Sequence, residues 1–214
     1  MIEQSCASHL RKVVSHAAQA IADHFLHVCS TALLTYTAHR VASDYWTERM
    51  QKVLLERLEF LTRASALWFT FASTIMLTAA FGIVMHVWDF VIIDEIYEAQ
   101  VILDHVSCMT PIQRTVHIWL TATVDVLYPF LYGAFFIGVS LKAFGRTGLW
   151  LALPSFLVIP VDLFEGFTQV MLLQGHHEYV AAKVWATPAK LTLFFAGSAI
   201  TAIGLVQLFR QRRP

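Results

Sequence analysis

Three carboxylic acids fall within long apolar stretches of this chain: Asp125, Asp162 and Glu165. An ionised carboxylate near the centre of a bilayer costs on the order of 2.5–3.5 kcal/mol, so acids in such stretches usually face a protein interior and mark a functional site. Asp162 and Glu165 are three residues apart and therefore share one face of a helix. The pattern predicts an acidic site buried between helices.

Polar and aromatic side chains recur at steps of three and four residues beside these acids and so share their helix faces: His117, Thr121, Tyr128 and Tyr132 with Asp125, and Gln169 with Asp162 and Glu165. Pro129 has no N–H, so the carbonyl of Asp125 loses its usual helical partner. Unpaired carbonyls line cavities more often than they face lipid. We therefore predict one ligand-binding site formed by His117, Asp125, Tyr128, Tyr132, Asp162, Glu165 and Gln169.

A purely structural interpretation fits the same residues. Tyrosine, glutamine and histidine side chains can hold protonated carboxyl groups in a hydrogen-bonded clasp between helices without any ligand. Burial and mutual repulsion raise the pKa of at least one of three clustered acids. Three acids are more than a clasp requires, so a functional site is favoured.

Metal and cofactor sites are not predicted. Five histidines are expected on the outer side of the bundle, near several acids: His86, His105, His117, His176 and His177. No pair of them has a zinc-binding spacing such as HExxH. The motifs GxSxG, GxGxxG and the P-loop are also absent. Three cysteines at unrelated spacings indicate free thiols: Cys6, Cys29 and Cys108.

The composition explains what must position these acids. Hydrophobic residues make up 57% of the 214 residues and charged residues only 14%, whereas a soluble domain carries about 25% charged residues. The net charge is zero, which argues against a nucleic-acid partner because such binding needs a basic patch. The natural partner is a lipid bilayer that covers the missing polar surface.

Four segments approach the roughly 20 apolar residues that a membrane-spanning helix needs: 64–84, 118–141, 149–173 and 191–209. They predict an all-α protein whose residues 61–214 form a four-helix transmembrane bundle. Thr110 and Pro111 are expected to cap the start of the second spanning helix. Lys190, at the start of the fourth, is expected to extend outward to the lipid headgroups.

Basic residues set the orientation of the bundle, because they concentrate on the cytoplasmic side of membrane proteins. Three regions of one side carry them: Arg49, Lys52, Arg57 and Arg63 before the first span, Lys142 and Arg146 between the second and third, and Arg210, Arg212 and Arg213 after the fourth. On the opposite side, the loop 86–114 is acidic and suits a short amphipathic helix. The basic residues of that side are Arg114, Lys183 in the loop between the third and fourth spans, and Lys190. Both termini are therefore expected in the cytoplasm, in a plasma or bacterial inner membrane, with the acids in the outer half of the bilayer.

Residues 1–60 differ from the rest. A pattern of apolar residues on one helical stripe with polar residues elsewhere is typical of an amphipathic helix on a membrane surface. The stripe consists of Leu10, Val13, Val14, Ala17, Ile21, Phe25 and Val28. A second helix is expected to begin near Ser43 and to continue into the first span. Translation from Met50 is an alternative start.

Four spans with a few intramembrane acids resemble, in architecture, the emopamil-binding family of sterol isomerases and related sterol-binding proteins. That resemblance implies acidic side chains facing a cavity open to the membrane, where they stabilise cationic amines or carbocations. It includes no shared motif: the segments that begin at Asp125 and Asp162 are not signatures of that family.

Three functions are compatible with this pattern. The first, which we predict, is a protein that binds or transports a proton, a cation or an amphiphilic cationic ligand. The second is a small membrane enzyme for a lipid or isoprenoid, with Asp162 and Glu165 as acid and base and Asp125 stabilising positive charge. The third is a homo-oligomer or an accessory subunit of a larger complex, since small residues in the spans permit close helix contacts.

Overall fold

The computed structural model describes residues 52–94, 96 and 98–211, and these are almost entirely helical, with no strand among them. The amphipathic stripe between Leu10 and Val28 and the helix start near Ser43 lie outside the described residues. Residues 52–58 are helical. The expected continuation into the first span is interrupted, because Glu59–Thr62 form a 3-10 turn and Arg63 is extended.

Seven α-helices follow Arg63 in the described part of the chain: α1 (Ala64–Val87), α2 (Ala99–Cys108), α3 (Pro111–Leu120), α4 (Val126–Phe144), α5 (Arg146–Leu151), α6 (Leu153–Leu173) and α7 (Val180–Gln211). A π-helical turn, Thr121–Asp125, joins α3 to α4. A second 3-10 turn, His177–Tyr179, precedes α7.

Four helical stretches are long and apolar enough to cross a membrane: Ala64–Val87, Pro111–Phe144, Arg146–Leu173 and His177–Gln211. The prediction of four apolar helices in an all-helical protein is confirmed. The predicted bounds of the second and fourth were too short. The fourth helix begins at Val180 rather than at residue 191. The predicted start was too late because Lys183 and Lys190, which are charged, lie within the helix and are buried there.

The helix α4 occupies the centre of the bundle. It contacts α1, α6 and α7, while α6 and α7 pack most extensively against each other. Close approach at α4 depends on small residues: a Cβ atom at Gly138 would lie 2.5 Å from the carbonyl oxygen of Leu61. By contrast, α1 makes its main helix contact with α4 and has Thr70 as its one buried residue. Most of the α1 surface is therefore not covered by the other described helices.

The loop between α1 and α2 folds back onto the bundle, with Ile93 and Ile96 buried. Gln113 holds the loop by donating to the backbone carbonyls of Trp88, at 3.3 Å, and Asp89, at 2.7 Å. Thr110 and Gln113 form a reciprocal capping box at the start of α3, with Pro111 as the first helical residue, as predicted. The short helix expected in this acidic loop is α2.

Candidate functional site

Four elements meet at one level of the bundle. The α3–α4 rod contributes Asp125 from its π-helical turn, which ends four residues before Pro129. Proline removes one helical hydrogen bond there, and single π turns inside α-helices are frequent at functional sites. Steps of three and four residues align the other side chains: Asp162, Glu165 and Gln169 on α6, and Lys183, Thr187 and Lys190 on α7. The α1–α2 loop contributes Asp94.

Glu165 is fully buried and surrounded by donors. Its Oε1 accepts from the Nζ of Lys183, from the hydroxyl of Thr187 at 2.9 Å and from the Nε2 of Gln169 at 3.0 Å. Its Oε2 accepts from the Nζ of Lys190 at 2.6 Å. We call these five residues the Glu165 cluster. Every lone-pair direction that a carboxylate normally uses is close to filled.

Asp94 connects the α1–α2 loop to this cluster. Its Oδ2 lies 3.1 Å from the Nζ of Lys190, and its Oδ1 accepts from the Nε2 of Gln169 at 2.5 Å. Burial acts to raise the pKa of Asp94, but the ammonium groups of Lys190 and Lys183 outweigh that effect and hold the pKa well below its ordinary value. The loop is thus fixed to α6 and α7 by a charged contact.

Asp162 is only partly satisfied. The hydroxyl of Tyr132 donates to its Oδ2 at 2.7 Å. Its buried Oδ1 has no hydrogen-bond donor among the described residues and lies 3.4 Å from the Nζ of Lys190. This oxygen of Asp162 therefore has an ion-pair partner, Lys190, but no hydrogen-bond donor among the described residues.

Asp125 is buried, with 7% of its surface exposed, and has no hydrogen bond or ion pair with any other described residue. Its nearest neighbours include Gly166, where an added Cβ atom would lie 3.5 Å from the Asp125 Oδ2. At this level the described bundle contains four carboxylates against two ammonium groups: Asp94, Asp125, Asp162 and Glu165 against Lys183 and Lys190. The acids are in excess.

Asp125 and Asp162 border a cavity of about 280 Å³ between α1, α4 and α7, which we call the acidic cavity. Its lining combines charged and aromatic side chains: Asp94, Asp125, Asp162 and Lys190, with Phe81, Tyr128, Tyr132 and Phe194. The aromatic rings contact one another in sequence, with centroid distances of 5.8 Å for Phe81–Tyr128, 5.2 Å for Tyr128–Tyr132 and 5.1 Å for Tyr132–Phe194.

A second cavity, of about 290 Å³, lies on the other side of the same two acids, between the π-helical turn and α6. Its lining includes Thr121, Gly166 and Phe167 together with Asp125 and Asp162. Space is therefore present on both sides of this pair of carboxylates.

The structure brings most of the sequence-predicted site residues together. Tyr132, Asp162, Glu165 and Gln169 make direct hydrogen bonds within the site, while Asp125 and Tyr128 line the acidic cavity. His117 is different: it is fully buried against Phe90, with ring centroids 5.3 Å apart, and neither ring nitrogen has a hydrogen-bond partner among the described residues. It makes no direct contact with the acids by hydrogen bonding.

Sequence reasoning missed the basic half of the site. Lys190 was expected to extend outward, and that prediction was wrong: its ammonium group faces Glu165, Asp162 and Asp94. Lys183, placed in a loop from the sequence, is fully buried in α7. One signal was present, because Lys183, Thr187 and Lys190 follow steps of four and three residues, the same period as the acids.

These observations define a helical bundle with four apolar helices and buried charged residues, as in a membrane protein. No protein-family model, curated protein or solved structure matches the chain, so the architectural resemblance to the emopamil-binding family has no further support. Among the described residues, no group of three or more histidine, cysteine, aspartate or glutamate side chains is arranged to hold a metal ion.

Proposed function

We propose that this chain is a four-span membrane protein that binds an organic cation with an apolar portion, with Asp125 as the counter-ion. Both termini lie in the cytoplasm, and the acidic cavity lies in the outer half of the bilayer. The observation that carries the proposal is a buried carboxylate that lines a cavity and has no hydrogen-bond or ion-pair partner among the described residues.

The buried lysines strengthen the argument for orientation. Sequence counting assigned Lys183 and Lys190 to the acidic side of the bundle, but both are held inside it by carboxylates. Arg114 is then the main basic residue flanking the spans on that side. The opposite end carries Arg63, Lys142 and Arg146, so the positive-inside bias supports cytoplasmic termini.

Charge balance supports a cationic ligand. Among the described residues, two ammonium groups cannot neutralise four carboxyl groups when all four are ionised, and buried charges are normally paired. Asp125 is the carboxylate left for a ligand, since it has no hydrogen-bond or ion-pair partner among the described residues and lines the acidic cavity. A bound monocation would pair with Asp125 and reduce the excess of negative charge at the site.

The aromatic lining supports an organic ammonium group over a proton or a bare metal ion. Four rings line the acidic cavity, and an ammonium group over an aromatic face gains about 0.5–2 kcal/mol. Apolar side chains such as Leu191 and Ile92 complete the cavity and suit carbon substituents on the nitrogen.

The enzymatic alternative has weaker support. Its acid–base pair required Glu165 to exchange protons with a substrate, but Glu165 is enclosed by four donors and does not line the acidic cavity. A general base must lie within hydrogen-bond reach of the substrate. Binding is therefore the function that the geometry favours.

Calorimetry on the detergent-purified protein tests the proposal. Hexylamine should bind, while hexan-1-ol, which has the same chain without the charge, should not. Asp125→Asn should abolish hexylamine binding, and Asp104→Asn, a matched change at an exposed position on α2, should leave it intact. Equal binding of hexylamine by the parent and Asp125→Asn would contradict the proposal.

A further inference from the structure

A third cavity, of about 270 Å³, lies between the same three helices as the acidic cavity, nearer the opposite end of the bundle. Its lining is apolar apart from Lys142 and includes Leu67, Phe71, Phe135, Val139 and Leu205. We call it the apolar cavity.

The two cavities use the same faces of the helices. Along the π-helical turn and α4, Asp125, Tyr128 and Tyr132 border the acidic cavity, and Phe135 and Val139 border the apolar one, in steps of three and four residues throughout. They therefore lie one above the other along a single groove, with α4 as its floor.

The helix α7 repeats this arrangement on its own wall of the groove. Leu191 and Phe194 line the acidic cavity, and Leu205 and Leu208 line the apolar cavity. Positions 191, 194, 205 and 208 share one face of a helix with a period near 3.6 residues.

On α4, the linings of the two cavities come within one helical turn of each other. Tyr132 and Phe135, which border different cavities, are three residues apart, or about 4.5 Å along a helix axis. On α7, Phe194 and Leu205 are eleven positions apart, or about 16 Å along a helix axis. Phe71 and Phe135 both line the apolar cavity, with ring centroids 5.3 Å apart.

We propose that the cation bound at Asp125 is a long-chain primary or substituted amine whose single alkyl chain lies in the apolar cavity along α4. This inference rests on the proposed function and specifies its ligand. Phe135 lies ten residues beyond Asp125, which is about 15 Å along the helix. An extended chain of roughly twelve carbon atoms spans that distance, given carbon–carbon bonds of about 1.5 Å.

Lys142 restricts the ligand further. It is the charged residue that lines the far end of the groove, and its Nζ donates to the carbonyl oxygen of Thr62 at 2.9 Å. A second ammonium group at the tail of the ligand would meet this positive charge. The groove therefore selects a chain that is cationic at one end only.

Two photoreactive dodecylamine probes locate the chain directly in the purified full-length protein. One carries a diazirine beside the nitrogen and the other a diazirine at the last carbon. The first should label the acidic cavity, at residues such as Leu191 and Phe194, and the second the apolar cavity, at residues such as Leu205 and Leu208. Labelling of Ile203, which is exposed on α7, or of Phe167 by the second probe would overturn the inference.

A matched pair of variants gives the second readout. Leu205→Trp fills the apolar cavity, whereas Ile203→Trp places the same ring on an exposed surface of α7. Leu205→Trp should weaken dodecylamine binding roughly tenfold or more, because at least two methylene groups of the ligand would no longer be buried. It should leave hexylamine binding unchanged. Ile203→Trp should change neither.

The two proposals fail in different ways. Failure of the parent protein to bind hexylamine would reject the proposed function itself. Hexylamine binding at Asp125 with equal dodecylamine affinity in Leu205→Trp and the parent would reject only the long-chain inference. The second outcome would mean that the alkyl chain of the bound amine does not lie in the apolar cavity. A bilayer lipid that occupied this cavity would give that result.

Discussion

Glu165 and Asp162 lie one turn apart on α6, yet their surroundings differ sharply. Glu165 accepts from four donors on α6 and α7 and has no surface exposed. Asp162 accepts one hydrogen bond from the described residues, that of Tyr132, its other oxygen lies 3.4 Å from the Nζ of Lys190, and the residue lines a cavity together with Asp125. One acid is enclosed by protein and the other is left with spare acceptor capacity.

This difference in hydrogen-bond partners distinguishes buried acids that stabilise the fold from buried acids that can bind a ligand. A carboxylate whose partners are all supplied by the protein holds helices together, and removing it strands its partners. A carboxylate without protein partners carries a cost in the folded state that a ligand can offset. We therefore assign the Glu165 cluster to stability and Asp125 to binding.

The largest expected effect is on stability. Glu165→Ala leaves two buried ammonium groups without their shared partner and should lower the free energy of unfolding by about 3–5 kcal/mol. Thermal unfolding in mild detergent measures the change. Asp125→Asn should leave the unfolding temperature equal or higher, since no protein hydrogen bond is lost. If both variants lose the same stability, the assignment of separate roles is wrong.

The second-largest expected effect distinguishes the roles of the two buried lysines. Lys183 contacts Glu165 and does not line the acidic cavity, so Lys183→Met should lower the unfolding temperature without changing the preference among amines. Lys190 lines the cavity, and Lys190→Met removes a positive charge there. It should tighten binding of 1,6-diaminohexane by at least roughly tenfold, because charges about 4 Å apart interact by several kcal/mol at intermediate dielectric.

Titration calorimetry with hexylamine and the diamine checks both lysine variants. If Lys190→Met still binds hexylamine and its affinity for the diamine is unchanged, Lys190 does not determine the preference for a ligand with one positive charge. A changed amine preference in Lys183→Met would remove the distinction between the two lysines.

A moderate, pH-dependent effect is expected at Asp94, whose folded-state pKa lies below its ordinary value of 3.8. A depressed pKa contributes stability that is fully present above the unfolded pKa and is lost as pH falls through the folded pKa. The unfolding temperature of the parent should exceed that of Asp94→Asn by a constant margin at pH 5–7, and the margin should narrow below about pH 4. A margin that instead grows on acidification would contradict the ion pair with Lys190.

The smallest effect concerns the rim of the acidic cavity. The hydroxyl groups of Thr78 and Tyr128 lie 3.0 Å apart, so Thr78→Val removes this hydrogen bond, worth about 0.5–1.5 kcal/mol, together with the bond from Thr78 to the carbonyl of Thr74 in its own helix. Hexylamine affinity should fall a few-fold as Tyr128 loses its orientation. Thr74→Val is the matched control, since Thr74 donates only to its own helix, at the carbonyl of Thr70. Equal affinities for the two variants would exclude a positioning role for Thr78.

The four long apolar helices are predictable from the sequence because each is a run of about 20 mostly apolar residues, which is visible without any tertiary information. The sequence also groups Asp125 with Asp162 and Glu165, since helical period and antiparallel packing are local rules. The basic partners are harder to predict. A hydropathy window ends a span at a charged residue, so it placed Lys183 and Lys190 outside the helix that buries them.

Asp94 shows the other limit of prediction from the sequence. It reaches the site from a loop, 75 residues before Gln169 in the chain, and no periodic pattern connects the two. Its position depends on how the loop folds back, which Gln113 and the buried Ile93 and Ile96 determine through tertiary contacts. Such contacts are a property of the folded bundle rather than of any one segment.

The most direct test measures the unfolding temperature of the parent and of Asp125→Asn with and without hexylamine. A ligand that binds only the folded state stabilises it by about 2.7 kcal/mol at one hundred times its Kd. We predict a clear rise for the parent, and for Asp125→Asn an unshifted or slightly higher starting temperature with no rise. A similar rise in both proteins would contradict the claim that Asp125 is the ligand's counter-ion.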